Sequence, residues 1–215
     1  MENKDIGHLR KSYDKSKLNL TDINFQPMEF FKLWFDDALK NKRIEEANAM
    51  TLTTLGLDNY PKGRVVLLKS FTEEGFIFYT NYKSEKGVSI DYHSKVGLSF
   101  FWPSLERQVI IKGEIDKISP EDSDNYFSSR PKGSQIGALV SEQSKVIESR
   151  EILEKRMDMM KKKYARKEIK RPTNWGGYVV YPKSIEFWQG RPNRLHDRVL
   201  CTLIKNSWDI KRLAP

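Results

Sequence analysis

Cysteine is almost absent from this 215-residue chain, and with Cys201 alone no intramolecular disulfide can form. Cys201 lies in the apolar run Val199 to Ile204, where a buried, inert thiol is expected, and a reducing compartment fits. Histidine is nearly as scarce. His8, His93 and His196 do not sit in a metal-binding spacing with one another or with other ligands, so no metal site is expected. No apolar run approaches the ~20 residues of a membrane-spanning helix. The start, Met1 to Asp5, lacks the apolar stretch of a secretory signal, which makes the cytoplasm the expected location. Neither a P-loop nor a G-x-G-x-x-G fingerprint is present, a nucleophilic triad has little support, and there are no repeats or low-complexity tracts.

What is abundant is positive charge. A net charge of +9 and a pI near 9.4 suggest an anionic partner, whether nucleic acid, an acidic membrane surface or a phosphorylated small molecule. Much of the excess falls in Lys161 to Lys167 and Lys170-Arg171, which reads as a solvated helix face. Aromatic residues make up 12% of the chain, too many for a disordered protein. The length suits one domain, 27–215, preceded by a polar arm over 1–26 in which Arg10 and Tyr13 stand out.

Pro27 opens an amphipathic stretch with Phe30, Phe31, Trp34, Phe35, Ala38 and Leu39 at helical spacing, which predicts a core-facing helix. From Ala49 the pattern changes to short apolar runs broken by turn residues. Strands are expected at about 50–55, 64–69, 76–80, 96–102 and 107–113. Further strands are expected at 177–181, 184–188 and 198–203, with Lys205 to Ser207 turning into a last one near 208–213. Ser119 followed by Pro120 signals a helix start, and a second helix is expected over about 149–165, with Met157 and Met160 as packing residues. The fold class is mainly β with flanking helices, an antiparallel sheet that curls or closes.

Basic and hydroxyl residues gather near aromatic ones where strands end or loops begin, a composition suited to phosphate capture. The clusters are Arg64 with Lys69; Tyr79 and Thr80 with Lys86; Tyr126, Arg130 and Ser134; and Gln143 with Ser144. Arg194, His196 and Arg198 have a spacing of two, so an extended backbone would put all three on one face. Singly, each has a plain structural reading: Tyr126 packs, Ser134 caps a helix, Lys69 ends a strand in solvent, His196 is a satisfied structural histidine. Together they point to a phosphorylated ligand, and leave open whether it is aromatic.

The stretch Ile185 to Arg198, with E-F-W-Q-G-x-x-x-R-L-H-D-R, resembles the signature of the pyridoxamine 5'-phosphate oxidase family. Similar segments follow that family's order along nearly the whole chain: Leu9 to Tyr13, Asn48 to Met50, Arg64 to Lys69, Phe78 to Asn81, Glu106 to Val109, Tyr126 to Ala138, Ser141 to Ser144, Trp175 to Gly177 and Arg212 to Pro215. The resemblance implies an FMN-binding split β-barrel and a homodimer with FMN at the subunit interface. It also implies oxidation of pyridoxine 5'-phosphate or pyridoxamine 5'-phosphate to pyridoxal 5'-phosphate by O2, without nucleic acid or membrane. Carried over to this chain, it gives FMN to Arg64, Val65, Val66, Leu67, Leu68, Lys69, Tyr79, Thr80, Lys86, Gln108, Gln143, Ser144, Trp188 and Arg198. The substrate phosphate falls to Lys69, Tyr126, Arg130 and Ser134. Arg194, Leu195 and His196 would meet the pyridine ring, with Arg194 and His196 as the catalytic pair, and Arg10 and Tyr13 would close the site.

Two positions depart from the family pattern. Glu85 stands where Arg is usual, which removes a cation expected near the FMN phosphate, and Glu46-Ala47 replaces a segment in which Pro commonly precedes the Asn. Two rivals remain: a non-catalytic flavin or pyridoxal-phosphate binder on the same barrel, and a nucleic-acid binder. The intact Arg194 and His196 argue against the first, and the lack of any base-stacking or groove-reading motif argues against the second.

Overall fold

The structure, a computed structural model, describes residues 4–23 and 26–215. The expected arm over 1–26 thus lies partly outside the described residues, at 1–3 and 24–25. Among the described residues the helices are α1 Pro27–Lys40, α2 Glu85–Tyr92, α3 Pro120–Ser129, α4 Lys132–Val140 and α5 Arg150–Lys163. The strands are β1 Ala49–Leu55, β2 Pro61–Leu67, β3 Ser70–Phe71, β4 Phe76–Asn81, β5 Lys95–Trp102, β6 Arg107–Lys117, β7 Trp175–Gln189, β8 Asp197–Ile204 and β9 Ser207–Leu213. They follow the order β2-β1-β5-β6-β7-β4-β3, with β8 on β7 and β9 on β8. The pairs β1–β2, β3–β4, β4–β7, β7–β8 and β8–β9 are antiparallel. No helix among the described residues is long and apolar enough to cross a membrane.

Two compact units share these elements. The first comprises the described residues up to Asn48, Ser99–Ile111 and Lys183–Pro215. Helix α1 buries Phe30, Phe31, Trp34 and Ala38. Phe30 meets Phe187 edge-on at 4.9 Å between ring centroids, and Phe31 lies 5.2 Å from Phe100. The helix face is narrower than the spacing suggests, because Leu39 is 60% exposed. Trp102 donates its indole N–H to the Ala47 carbonyl (3.0 Å), so a large ring enters the core without an orphaned donor. Cys201 is fully buried, and burial pushes its thiol up to about 12.

The second unit comprises Ala49–Leu98 and Lys112–Pro182. Strand β1 alternates, burying Met50, Leu52 and Thr54, as a one-face-buried strand must. Met157, Met160, Leu153 and Tyr164 of the α5 segment pack on Phe127, Ile136, Val140, Ile169 and Trp175, so the methionines are packing residues as expected. The run Lys161 to Lys163 is exposed. Ser119 caps α3 by accepting the Asp122 N–H (3.0 Å), with Pro120 in the first turn.

Three elements differ from the sequence reading. Helix α2 reads as a polar connection because three of its four buried residues are Lys86, Gly87 and Ser89, with Ile90 the one large apolar side chain. Helix α4 holds Gly133 and Gly137, which mask its helical signal. Strand β7 runs unbroken for 15 residues through Pro182, where two strands are expected. On one edge it pairs with β4 as far as Val180 and with β8 from Ser184 onward. Pro182 falls between these two ladders, where the missing N–H costs no rung of either.

Candidate functional site

A cavity of about 660 Å³ opens in the second unit, within the few-hundred to roughly 1,000 Å³ range of ligand clefts. Five cations, Lys62, Arg64, Lys69, Lys86 and Arg130, and one carboxylate, Glu85, line it. Val65, Val66, Leu67, Tyr79, Thr80, Tyr126, Ser134, Gln143 and Ser144 line it too, so most of the sequence-derived candidates converge here. Leu68 does not; at 3% exposure it belongs to the core.

Strand pairing explains the cationic wall. Lys62 and Arg64, two residues apart on β2, share a face and lie opposite Thr54 and Leu52 of β1. One guanidinium nitrogen of Arg64, Nη1, donates to Thr54 Oγ1 (2.7 Å) and to the Leu52 carbonyl (3.2 Å). The other, Nη2, is buried without a hydrogen-bond partner. Burial lowers the affinity of Arg64 for its proton, and burial followed by the Arg64 charge does the same to Lys86, whose Nζ donates to Ser84 Oγ (3.4 Å). A cation held at a desolvation cost and with a nitrogen left over is an anion receptor.

The opposite wall is aromatic. Tyr79 of β4 stacks on Tyr126 of α3 with centroids 3.8 Å apart, and on Trp175 at 5.6 Å. The stack exists because β4 faces a glycine: Gly177 pairs with Tyr79, and a Cβ on Gly177 would come within 2.8 Å of the Tyr79 ring. Burial raises both tyrosine pKa values, so the rings stay neutral. Arg130, at the end of α3, spreads its guanidinium 4.5 Å from the Trp175 centroid and leaves Nη1 buried without a partner. Helix α4 starts immediately afterwards, with Pro131 as its cap and Ser134 in its first turn. The free N–H groups of a first turn favour an anion. Lys62, Pro131 and Trp175 join the site without having been singled out, and the alternation Lys62, Arg64 on one strand face is the signal that could have found Lys62.

A second cavity, about 630 Å³, lies in the first unit and is lined by Leu9, Arg10, Lys11, Ser12, Tyr13, Arg191, Asn193, Arg194 and His196. Here the expected extended run is wrong. Pro192–Arg194 is a 3-10 turn with Asn193 and Arg194 at φ 58° and 62°, and the strand begins only at Asp197. Arg194 and His196 meet through the turn, not through strand alternation. Arg198 does lie on the strand, pairs with Trp188, and is committed to Glu186 (2.8 Å) and the Ala214 carbonyl (3.0 Å). Leu195 is 68% exposed and outside the lining. Gln108 donates to Ser99 Oγ (3.2 Å) and lines neither cavity.

His196 Nδ1 accepts the Arg191 backbone N–H (3.1 Å), which leaves Nε2 to carry the proton of the neutral ring. Burial first, and the Arg194 charge second, lower its pKa below 6.5. The ring sits 4.6 Å from Trp188, and Tyr13 approaches both, at 5.8 Å from Trp188 and 5.9 Å from His196.

Family comparison agrees with this geometry. Residues 35–164 match the family model described as pyridoxamine 5'-phosphate oxidase, and residues 175–215 match the pyridoxine 5'-phosphate oxidase C-terminal dimerisation region. Pyridoxine/pyridoxamine 5'-phosphate oxidase from Flavobacterium psychrophilum is 56% identical over 99% of this chain and 100% of that one; the enzyme from Christiangramia forsetii is 52% identical over 99% of each. Among solved structures, PhzG from Burkholderia lata in complex with tetrahydrophenazine-1-carboxylic acid superposes with a TM-score of 0.88 at 25% identity, covering 95% of this chain and 100% of that one. A pyridoxamine 5'-phosphate oxidase-related, FMN binding protein from Nostoc punctiforme shares the fold at 15% identity and a TM-score of 0.67, covering 86% of this chain and 97% of that one.

Proposed function

The chain belongs to the pyridoxamine 5'-phosphate oxidase family, and from that premise we propose a division of labour among the residues of its two cavities. The reaction converts pyridoxine 5'-phosphate or pyridoxamine 5'-phosphate to pyridoxal 5'-phosphate with O2 as acceptor, releasing H2O2, and ammonia from the amine. The enzyme is an FMN-dependent homodimer on an antiparallel split barrel, and the cytoplasm is its proposed location. Bound FMN supplies a two-electron acceptor for the hydrogen leaving C4' and a route for those electrons to O2. The observation that carries the reading is the pair of buried, unpartnered guanidinium nitrogens, Arg64 Nη2 and Arg130 Nη1, in one cationic cavity with an aromatic wall. Two phosphorylated aromatic molecules are what such a pair suits.

Arg64, Lys86, Thr80, Gln143 and Ser144 hold the flavin side, with Val65, Val66, Leu67, Lys69 and Tyr79; Gln108, Trp188 and Arg198 act there in the assembled dimer. Arg130, Tyr126, Ser134 and Lys69 hold the substrate phosphate. In the second cavity Arg194 orients the pyridine ring and favours negative charge developing on it. His196 donates from Nε2 to a ring or C4' substituent. Arg194 and its neighbour Asn193 both occupy left-handed backbone, a conformation that costs of order 1–3 kcal/mol at a non-glycine residue and persists where the surroundings impose it. Arg10 and Tyr13 complete that cavity. Adding FMN and pyridoxine 5'-phosphate to the purified protein should yield peroxide and the aldehyde together; no peroxide at saturating FMN would sink the assignment.

Protonation of His196 would turn Nδ1 into a donor facing the Arg191 N–H and add a cation beside Arg194. The form that acts is therefore the neutral one, present above its depressed pKa and lost as pH falls through it. The acid limb of kcat/KM attributable to His196 should lie below pH 6.5 and disappear in His196→Asn. A limb unchanged in that variant would assign it to another group.

Glu85 accepts from Lys62 Nζ with both carboxylate oxygens at 2.7 Å, and both side chains are about half exposed. Removing an exposed carboxylate at a phosphate-binding rim is worth ~0.2–1 kcal/mol. Glu85→Arg should tighten FMN by up to about fivefold, the upper end of that range. A dissociation constant that stays the same or rises in a fluorescence titration would show that Lys62 alone serves this rim.

A further inference from the structure

The arm that lines the second cavity is tied down by a residue outside it. Glu106 is 1% exposed and stands at φ 57° in the turn between β5 and β6. Its Oε2 accepts two consecutive backbone N–H groups of the arm, Asp14 (3.0 Å) and Lys15 (3.1 Å). Lys11 Nζ stands 3.5 Å from Oε1, an atom that is buried and makes no hydrogen bond. Lys15 Nζ donates to the neighbouring Ser104 carbonyl.

The same residue grips the other side of the cavity by its backbone. The Glu106 carbonyl accepts the Gly190 N–H (2.7 Å) and Gln189 Nε2 (3.2 Å), immediately before the turn that carries Arg191, Asn193 and Arg194. Gly190 in turn makes room for the arm, because a Cβ there would stand 2.8 Å from Tyr13 Cβ. One residue thus fixes both cavity walls: its carboxylate holds residues 14 and 15, its carbonyl holds 189 and 190.

We propose that Glu106 is a positioning residue for the oxidase reaction, seating Tyr13 and Arg10 against the Arg194 and His196 turn so that the substrate meets a preformed cavity. This rests on the reaction assigned above. A carboxylate spanning two adjacent N–H groups is a strong, directional tether in a site sheltered from water. Without it the arm loses its seat, and binding substrate must then include ordering the arm.

Glu106→Ala should raise KM for pyridoxine 5'-phosphate by about 10-fold or more, the equivalent of one sheltered charge-assisted bond. The turnover number should fall by less than about threefold, and the FMN dissociation constant should stay within a factor of about two. Trypsin should cut at Lys11 and Lys15 faster than in the wild type. Glu106→Gln, which keeps an acceptor oxygen, should recover part of the KM. Asp14→Pro removes one donor without touching Glu106, and should reproduce the KM and trypsin effects even where Glu106→Ala folds poorly. Wild-type KM and wild-type cutting in both Glu106→Ala and Asp14→Pro would overturn the proposal, as would a loss confined to FMN binding. A wild-type protein without peroxide would defeat the reaction assignment alone, because the trypsin comparison still decides whether Glu106 seats the arm.

Discussion

Arg130→Ala is expected to raise KM for pyridoxine 5'-phosphate by about 10- to 100-fold, the range of one sheltered charge-assisted hydrogen bond, with FMN affinity nearly unchanged. Arg64→Ala should do the reverse and weaken FMN by a similar factor. The two arginines line one cavity but hang from different elements, Arg64 from β2 and Arg130 from the end of α3, and each leaves one nitrogen buried and unpartnered. Burial lowers the pKa of both, a cost that an answering phosphate removes. Lysine should rescue neither well. Arg130 stands over the Trp175 ring, and Arg64 already spends one arm of its fork on Thr54 and Leu52, so a point charge on a flexible stem reproduces neither geometry. Michaelis kinetics at saturating FMN and a separate flavin titration read the two effects independently. Equal losses of both ligands in both variants would show that the cavity does not divide its phosphates in this way.

Arg194→Ala should lower kcat by about 100-fold, the scale on which removing one transition-state hydrogen-bond donor acts, while FMN binding changes by less than about threefold. The expectation rests on placement. Arg194 sits outside the FMN-side cavity, beside His196, on a backbone held in the left-handed region next to another left-handed residue. Arg194→Gly would relieve that strain as well as remove the side chain. Should strain and not the guanidinium matter, Arg194→Ala and Arg194→Gly would differ widely; similar losses point to the charge. A parallel loss of turnover and flavin affinity would refute the division of roles.

The strands were legible in the sequence wherever one face is buried, as in β1 and β5, because alternation reports a sheet with one wet side. The helices α2 and α4 were not. The buried face of α2 is mostly Lys86, Gly87 and Ser89, residues placed there for ligands or for close packing rather than for a hydrophobic stripe, while in α4 Gly133 and Gly137 weaken the helical pattern around the buried Ile136 and Val140. The cationic cluster of Arg64, Lys69, Lys86 and Arg130 could be suspected from residue types, but its unity could not, since the pieces are spread over more than sixty positions. Lys62 was hidden in a segment that reads as a turn. The segment from Arg194 to Arg198 shows the opposite error: a spacing of two looks like one strand face, whereas Pro192 opens a 3-10 turn and the side chains converge for a different reason. Glu106 carried no sequence signal beyond its place in a family motif, because its role depends on backbone N–H groups that no side-chain pattern reveals.

Cys201 acquires a meaning from the product. An oxidase that releases hydrogen peroxide at every turnover exposes its own sulfur atoms to the oxidant at its source. With burial raising the thiol to about 12, only about one molecule in 10⁵ carries a thiolate at pH 7, and full burial keeps peroxide away from that fraction. The chain therefore has no cysteine that its own chemistry can convert to sulfenic acid. Among the described residues the methionine most open to oxidative wear is instead Met159, 62% exposed on α5, where gaining an oxygen leaves the cavity walls untouched.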